Sequence, residues 1–137
     1  RLARGDMTVG GTRVELGKVT LPIIEIAARE DHIAPAPSVY RGSRMFGGPV
    51  EFVLAGSGHI AGVVNPPDKV KYQYWTDGAN GPEVSDWLKS AKEHPGSWWP
   101  YWTDWLHARS GALINARTPG AELGVIEDAP GSFVRAR

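Results

Sequence analysis

Two residues of this 137-residue chain have the types and setting for proton-transfer chemistry, Asp31 and His59. A histidine that accepts a proton near neutral pH needs a carboxylate to fix its tautomer and stabilise the imidazolium that forms. Asp31 lies in the polar cluster Arg29-Glu30-Asp31-His32, and His59 closes the turn Gly56-Ser57-Gly58-His59. The structural alternative makes Asp31 a helix-entry or turn residue and His59 an ordinary turn histidine. Pattern alone leaves both readings open. No nucleophile accompanies the pair. The chain has no cysteine, and Ser57 lacks the first glycine of G-x-S-x-G and precedes the histidine instead of the acid. Ser57 is read as a turn residue.

Other chemical patterns are weaker. Gly56-Ser57-Gly58-His59-Ile60-Ala61 satisfies G-x-G-x-x-A after a strand. A dinucleotide site would then need a long helix and a further strand with an acid about twenty residues on. Asn65-Pro66-Pro67 stops any such helix after one turn, and Asp77 falls in a glycine loop. His32, His59, His94 and His107 show no metal-ligand spacing, so no metal is expected. His32 is read as a loop-packing residue or a support to the site. The Trp-rich stretch Ser97–Trp105 offers rings to a sugar or polymer surface, as a binding module would. At helical spacing, however, Trp98, Trp102 and Trp105 share one face, and packing is the expected use.

The elements that must position the pair follow from the apolar runs. Leu21–Ala28 is nearly continuous in apolar residues, which suits a strand buried on both faces of a parallel sheet. Ser38 is placed to cap a helix through about Phe46, closed by Gly47-Gly48. Val50–Ala55 is a second strand. Strand, helix and strand within about 35 residues make one βαβ unit. Asp31 and His59 then fall just past the carboxyl ends of neighbouring parallel strands, the edge where open α/β sheets place their sites. Beyond His59 the chain reads as helical. Val84, Trp87, Leu88 and Ala91 form an apolar stripe within Pro82–His94. Ser97 caps a further helix from Trp98 to about Ser110, with Pro100 in its first turn. Asp77–Gly81 is a loop, and the tail from residue 121 onward has no assigned structure.

Composition narrows the function classes. Fifteen basic and fifteen acidic residues cancel, which removes the electrostatic case for nucleic acid or an anionic membrane surface. No apolar run is long enough for a transmembrane segment. No charged-then-apolar leader opens the chain, and secretion is not expected. The length suits one domain with a core. Six tryptophans and a start at Arg1 fit a segment of something longer, although a processed mature protein would start the same way.

Several separate motifs resemble one family in order and spacing. They are Ala28–Pro35, Gly47-Gly48-Pro49-Val50, Gly56–Pro67, Tyr72-Gln73-Tyr74-Trp75, Ser97-Trp98-Trp99-Pro100 with Trp105-Leu106, and Asp128-Ala129-Pro130-Gly131 with Phe133-Val134. Together they resemble the C-terminal portion of a class I poly(3-hydroxyalkanoate) synthase, from about Val14 onward. The resemblance implies the last βαβ unit of an α/β-hydrolase fold, a mainly parallel sheet followed by C-terminal helices, so that residues 1–137 are a fragment of one catalytic domain. It implies an acyltransferase that polymerises (R)-3-hydroxyacyl-CoA into polyester and releases CoA, with no further cofactor. Asp31 and His59 match the family's catalytic aspartate and histidine. The cysteine nucleophile lies upstream, so the fragment alone is expected to be inactive. Asp31 would orient His59 or help to activate the incoming 3-hydroxyl. A homodimer in the bacterial cytoplasm, at the polymer granule surface, is implied as well. One departure is Ala36, where the family often has Trp. A serine esterase or acyltransferase of the same fold is the alternative within enzymes.

Overall fold

The computed structural model describes residues 1–120 and 122–136. After a short 3-10 turn at Leu2–Arg4 its first strands form a hairpin of β1 (Met7–Val9) and β2 (Thr12–Val14). Gly10 and Gly11 turn it with φ of 54° and 80°, the left-handed pair that a tight two-residue hairpin turn demands. The apolar pattern is too short there to reveal it.

The expected βαβ unit is present. β3 (Ile23–Ala28) leads through α1 (Ala36–Ser43) to β4 (Val50–Ala55), and the strands pair in parallel from Ile23↔Val50 to Ala28↔Ala55. The helix begins at Ala36 after Pro35, earlier than Ser38, with Pro37 in the first turn where a missing N–H costs nothing. It also ends at Ser43, short of Phe46.

After His59 the chain is not all helical, and the sheet is mixed instead of mainly parallel. β5 (Gln73–Thr76) pairs antiparallel with β4. Then α2 (Val84–Ser90) leads to β6 (Lys92–Pro95), antiparallel to β5, giving the order β3-β4-β5-β6. The stripe at Val84, Trp87 and Leu88 does form a helix, but the backbone turns extended at Ala91. Lys92–Pro95 lacks a strand's apolar alternation and is held by pairing. His94 stacks on Tyr74 at 4.8 Å, and Trp75 Nε1 donates to Glu93 Oε2 at 3.0 Å. Tertiary contact overrides local pattern here.

Alternation along the strands builds two cores. Phe52, Leu54, Ala27 and Trp75 face α1 and α2, where Phe52 meets Tyr40 and Trp87 edge-on, each at 5.0 Å. Val53, Ala55, Tyr74 and Ile26 face the other way, against α3 (Trp99–His107) and Trp98 before it. That helix ends at His107, earlier than the expected Ser110. Its inward face matches the expected one only in part. Trp98 is buried, but Trp102 is 37% exposed. Trp105, as expected, and Tyr101, unexpectedly, turn to β4 and donate to the Glu51 carboxylate at 2.7 and 2.9 Å. Past Ser110 the described residues hold only a short 3-10 turn, Phe133–Arg135. No helix among the described residues is long and apolar enough to cross a membrane.

Candidate active site

The parallel ladder continues past the ends of β3 and β4. Arg29 N–H donates to Ala55 O at 2.8 Å and Glu30 N–H to Ser57 O at 2.9 Å. This draws the two outgoing loops together, as the strand reading requires. Asp31 turns back at once, its N–H donating to Ala28 O at 3.2 Å. Its Oδ1 accepts the N–H groups of Ile33 and Ala34 at 2.8 and 2.9 Å, an Asx-type turn. Its Oδ2 lies 2.7 Å from His59 Nδ1.

The two partners differ in environment. The Asp31 side chain is 5% exposed and that of His59 is 44% exposed. The backbone N–H of Ala34 does most to hold the Asp31 pKa down, to about 2. Burial opposes it, and the His59 hydrogen bond and the Ile33 N–H add to the lowering. An ionised carboxylate only accepts. His59 therefore carries its proton on Nδ1, and Nε2 presents a lone pair with no hydrogen-bond partner among the described residues. Chemically, this is a histidine oriented to take a proton at Nε2.

The turn that delivers His59 is tightly folded. Ser57 has φ of 69°, a turn conformation as expected. Gly62 N–H donates to Gly58 O at 2.8 Å. A Cβ on Gly62 would lie 2.5 Å from the Gly56 carbonyl oxygen and 3.0 Å from Ala28 Cβ, so only glycine fits.

The other histidines do not join the pair. His32 is exposed, with no loop packing of the kind expected for it. His94 Nε2 is 2.9 Å from Thr76 Oγ1 within the sheet, and His107 is exposed at the end of α3. Among the described residues no cluster of three metal-ligating side chains is assembled. A cavity of about 450 Å³ lined by Tyr40, Arg44, Phe46 and Phe52 sits by the start of β4, at the opposite end of that strand from His59.

Two contributors escape the reading of residue types. One is the pair of amides at Ile33 and Ala34, for which the sequence holds a signal: an Asp followed closely by a proline-punctuated loop. The other is Trp99, whose indole Nε1 donates to Val63 O in the His59 turn at 2.9 Å. Nothing in the sequence marks that contact.

The molecule is a mixed α/β chain with an acid–histidine pair at the carboxyl edge of its parallel strands. No family model matches it. It is 56% identical over 137 residues to the poly(3-hydroxyalkanoate) polymerase subunit PhaC of Rhizobium etli, covering 99% of this chain and 22% of that protein. Against the poly(3-hydroxyalkanoate) polymerase of Methylorubrum extorquens the identity is 52%, covering 98% and 22%. Against the PhaC subunit of Cupriavidus necator it is 42%, covering 97% and 23%. The chain is thus homologous to a segment of the poly(3-hydroxyalkanoate) polymerases, an enzyme family, and spans about a fifth of the length of these relatives.

Proposed function

We propose that this chain is the acid–histidine part of a polyester-forming acyltransferase of α/β-hydrolase fold, completed by a cysteine outside these residues. The observation that carries the reading is the 2.7 Å contact of Asp31 Oδ2 with His59 Nδ1, which leaves Nε2 open. Nε2 takes the proton from the cysteine thiol, and the thiolate attacks the carbonyl carbon of a (R)-3-hydroxyacyl-CoA thioester. The bond from that carbon to the CoA sulfur breaks, and the imidazolium returns its proton to the departing CoA thiolate. In elongation Nε2 takes the proton of a 3-hydroxyl group, whose oxygen attacks the cysteine-bound acyl carbon to form an ester and free the cysteine sulfur.

Of the two roles open to Asp31, orienting His59 is the better supported. Both carboxylate oxygens are occupied and the side chain is almost wholly buried, so an incoming hydroxyl has no free oxygen to meet. The packing of Trp98 and the hydrogen bonds of Trp99 and Trp105 weigh against a module that displays its tryptophans to a ligand.

The test is the mass of the intact polymerase after a single turnover with 3-hydroxybutyryl-CoA. An acyl adduct on a cysteine outside this region is the expected result. An adduct on a serine moves the pair to a serine acyltransferase, and no adduct at all overturns covalent catalysis here.

A further inference from the structure

The turn that carries His59, Gly56–Val64, has little packing of its own. Ile60 is 72% exposed and Val64 is 60% exposed. Its backbone is fixed instead by bonds from other parts of the chain. Before His59, Gly56 N–H donates to Gln73 O and Glu30 N–H to Ser57 O, at 2.8 and 2.9 Å. After His59, the only described bond from outside the turn to its backbone is the one from Trp99 Nε1 to Val63 O, 36 residues apart. Trp99 is itself well held. Ser97 Oγ accepts its backbone N–H at 3.1 Å, and its ring meets Trp98 edge-on at 6.5 Å. Trp98 in turn is buried against the sheet. A line of contacts therefore runs from the core through Trp98 and Trp99 to Val63. From there Val63 N–H bonds back to Ile60 O, beside His59.

We propose that Trp99 is a positioning residue, which through Val63 holds His59 Nδ1 on Asp31 Oδ2 and so aims Nε2 at the reacting groups. The inference rests on the acyl-transfer reading above. Without the indole N–H the far side of the turn loosens and His59 leaves the acid for part of the time. Proton transfer is misaligned while thioester binding is not, so the loss falls on kcat.

The test uses the intact polymerase with 3-benzothienylalanine at position 99, which keeps the ring shape and replaces N–H by sulfur. The expected result is a fall of about tenfold in kcat for CoA release, with KM held within about twofold. The 5-fluorotryptophan enzyme, which keeps the N–H, is expected to match the parent. Trp99→Phe should add little to the loss already caused by Asp31→Asn, because both act through His59. Unchanged kcat in the benzothienyl enzyme overturns the proposal even if Trp99→Phe fails to fold, and so does a full additive loss in the Asp31→Asn background. A fully active Asp31→Asn enzyme overturns the acid–histidine reading itself, and this inference with it. An impaired Asp31→Asn enzyme beside an unaffected benzothienyl enzyme sinks this inference alone.

Discussion

Both oxygens of the Asp31 carboxylate are in use, Oδ1 on the amides of Ile33 and Ala34 and Oδ2 on His59 Nδ1. Removing the charge while keeping the shape, as in Asp31→Asn, threatens the histidine tautomer and the loop at once. A loss of about 10³–10⁴-fold in CoA release by the intact polymerase is expected, the scale seen when a triad acid is neutralised. Activity within tenfold of the parent would contradict it. The acid side of the pH dependence follows from the same contacts. The folded-state pKa is about 2, below the unfolded value of about 3.9. The stabilisation is therefore fully present above the unfolded value and is lost as pH falls through the folded one. The gap in Tm between parent and Asp31→Asn should narrow from about pH 5 towards about pH 2; a constant gap would refute the assignment. The pair itself was legible in the sequence, since strand ends and flanking glycines placed both residues on one rim. The amides that depress the acid were marked only indirectly, by an Asp just ahead of a proline-punctuated loop.

At the scale of elements, the site depends on two anchors. Gly62 lets the His59 turn lie against the end of β3, so Gly62→Ala should displace the turn and lower kcat without unfolding the domain. A crystal structure with His59 unmoved and activity retained would contradict this. Glu51 is the other anchor, joining β4 to α3 through Tyr101, Trp105 and Arg109. Burial, with Glu51 alongside, raises the Tyr101 pKa well above the ordinary tyrosine value, so Tyr101 stays a donor throughout the working range. Glu51→Ala leaves two aromatic donors unpaired and is expected to cost about 1–3 kcal/mol, read by denaturant unfolding. The exposed Arg109 contact contributes little of that. β3, β4 and the stripe of α2 were legible because each buries a continuous or periodic apolar set. β6 was not, since Lys92-Glu93-His94-Pro95 becomes a strand only by pairing with β5. The inward face of α3 was legible only in part for a related reason. Trp98 and Trp105 pack inward as the pattern suggests, but Tyr101 joins them in place of Trp102 because its acceptor, Glu51, is distant in sequence.

At the scale of the whole molecule, the sheet has an edge at β3 that no strand among the described residues pairs with. The tail holds Leu113, Leu123, Ile126 and Phe133 at 90% exposure or more. Free edges and loose apolar side chains favour association. The 137-residue chain alone is expected to self-associate in size-exclusion chromatography and to melt without a sharp transition. A monomer with one cooperative transition would contradict that. The chemistry proposed above likewise takes its acylated group from a cysteine outside these residues. The most direct measurement of the central claim is CoA release from 3-hydroxybutyryl-CoA by the intact polymerase carrying His59→Ala. The expected result is release at background from an enzyme that remains folded; polymer formation at the parental rate would contradict the role given to His59.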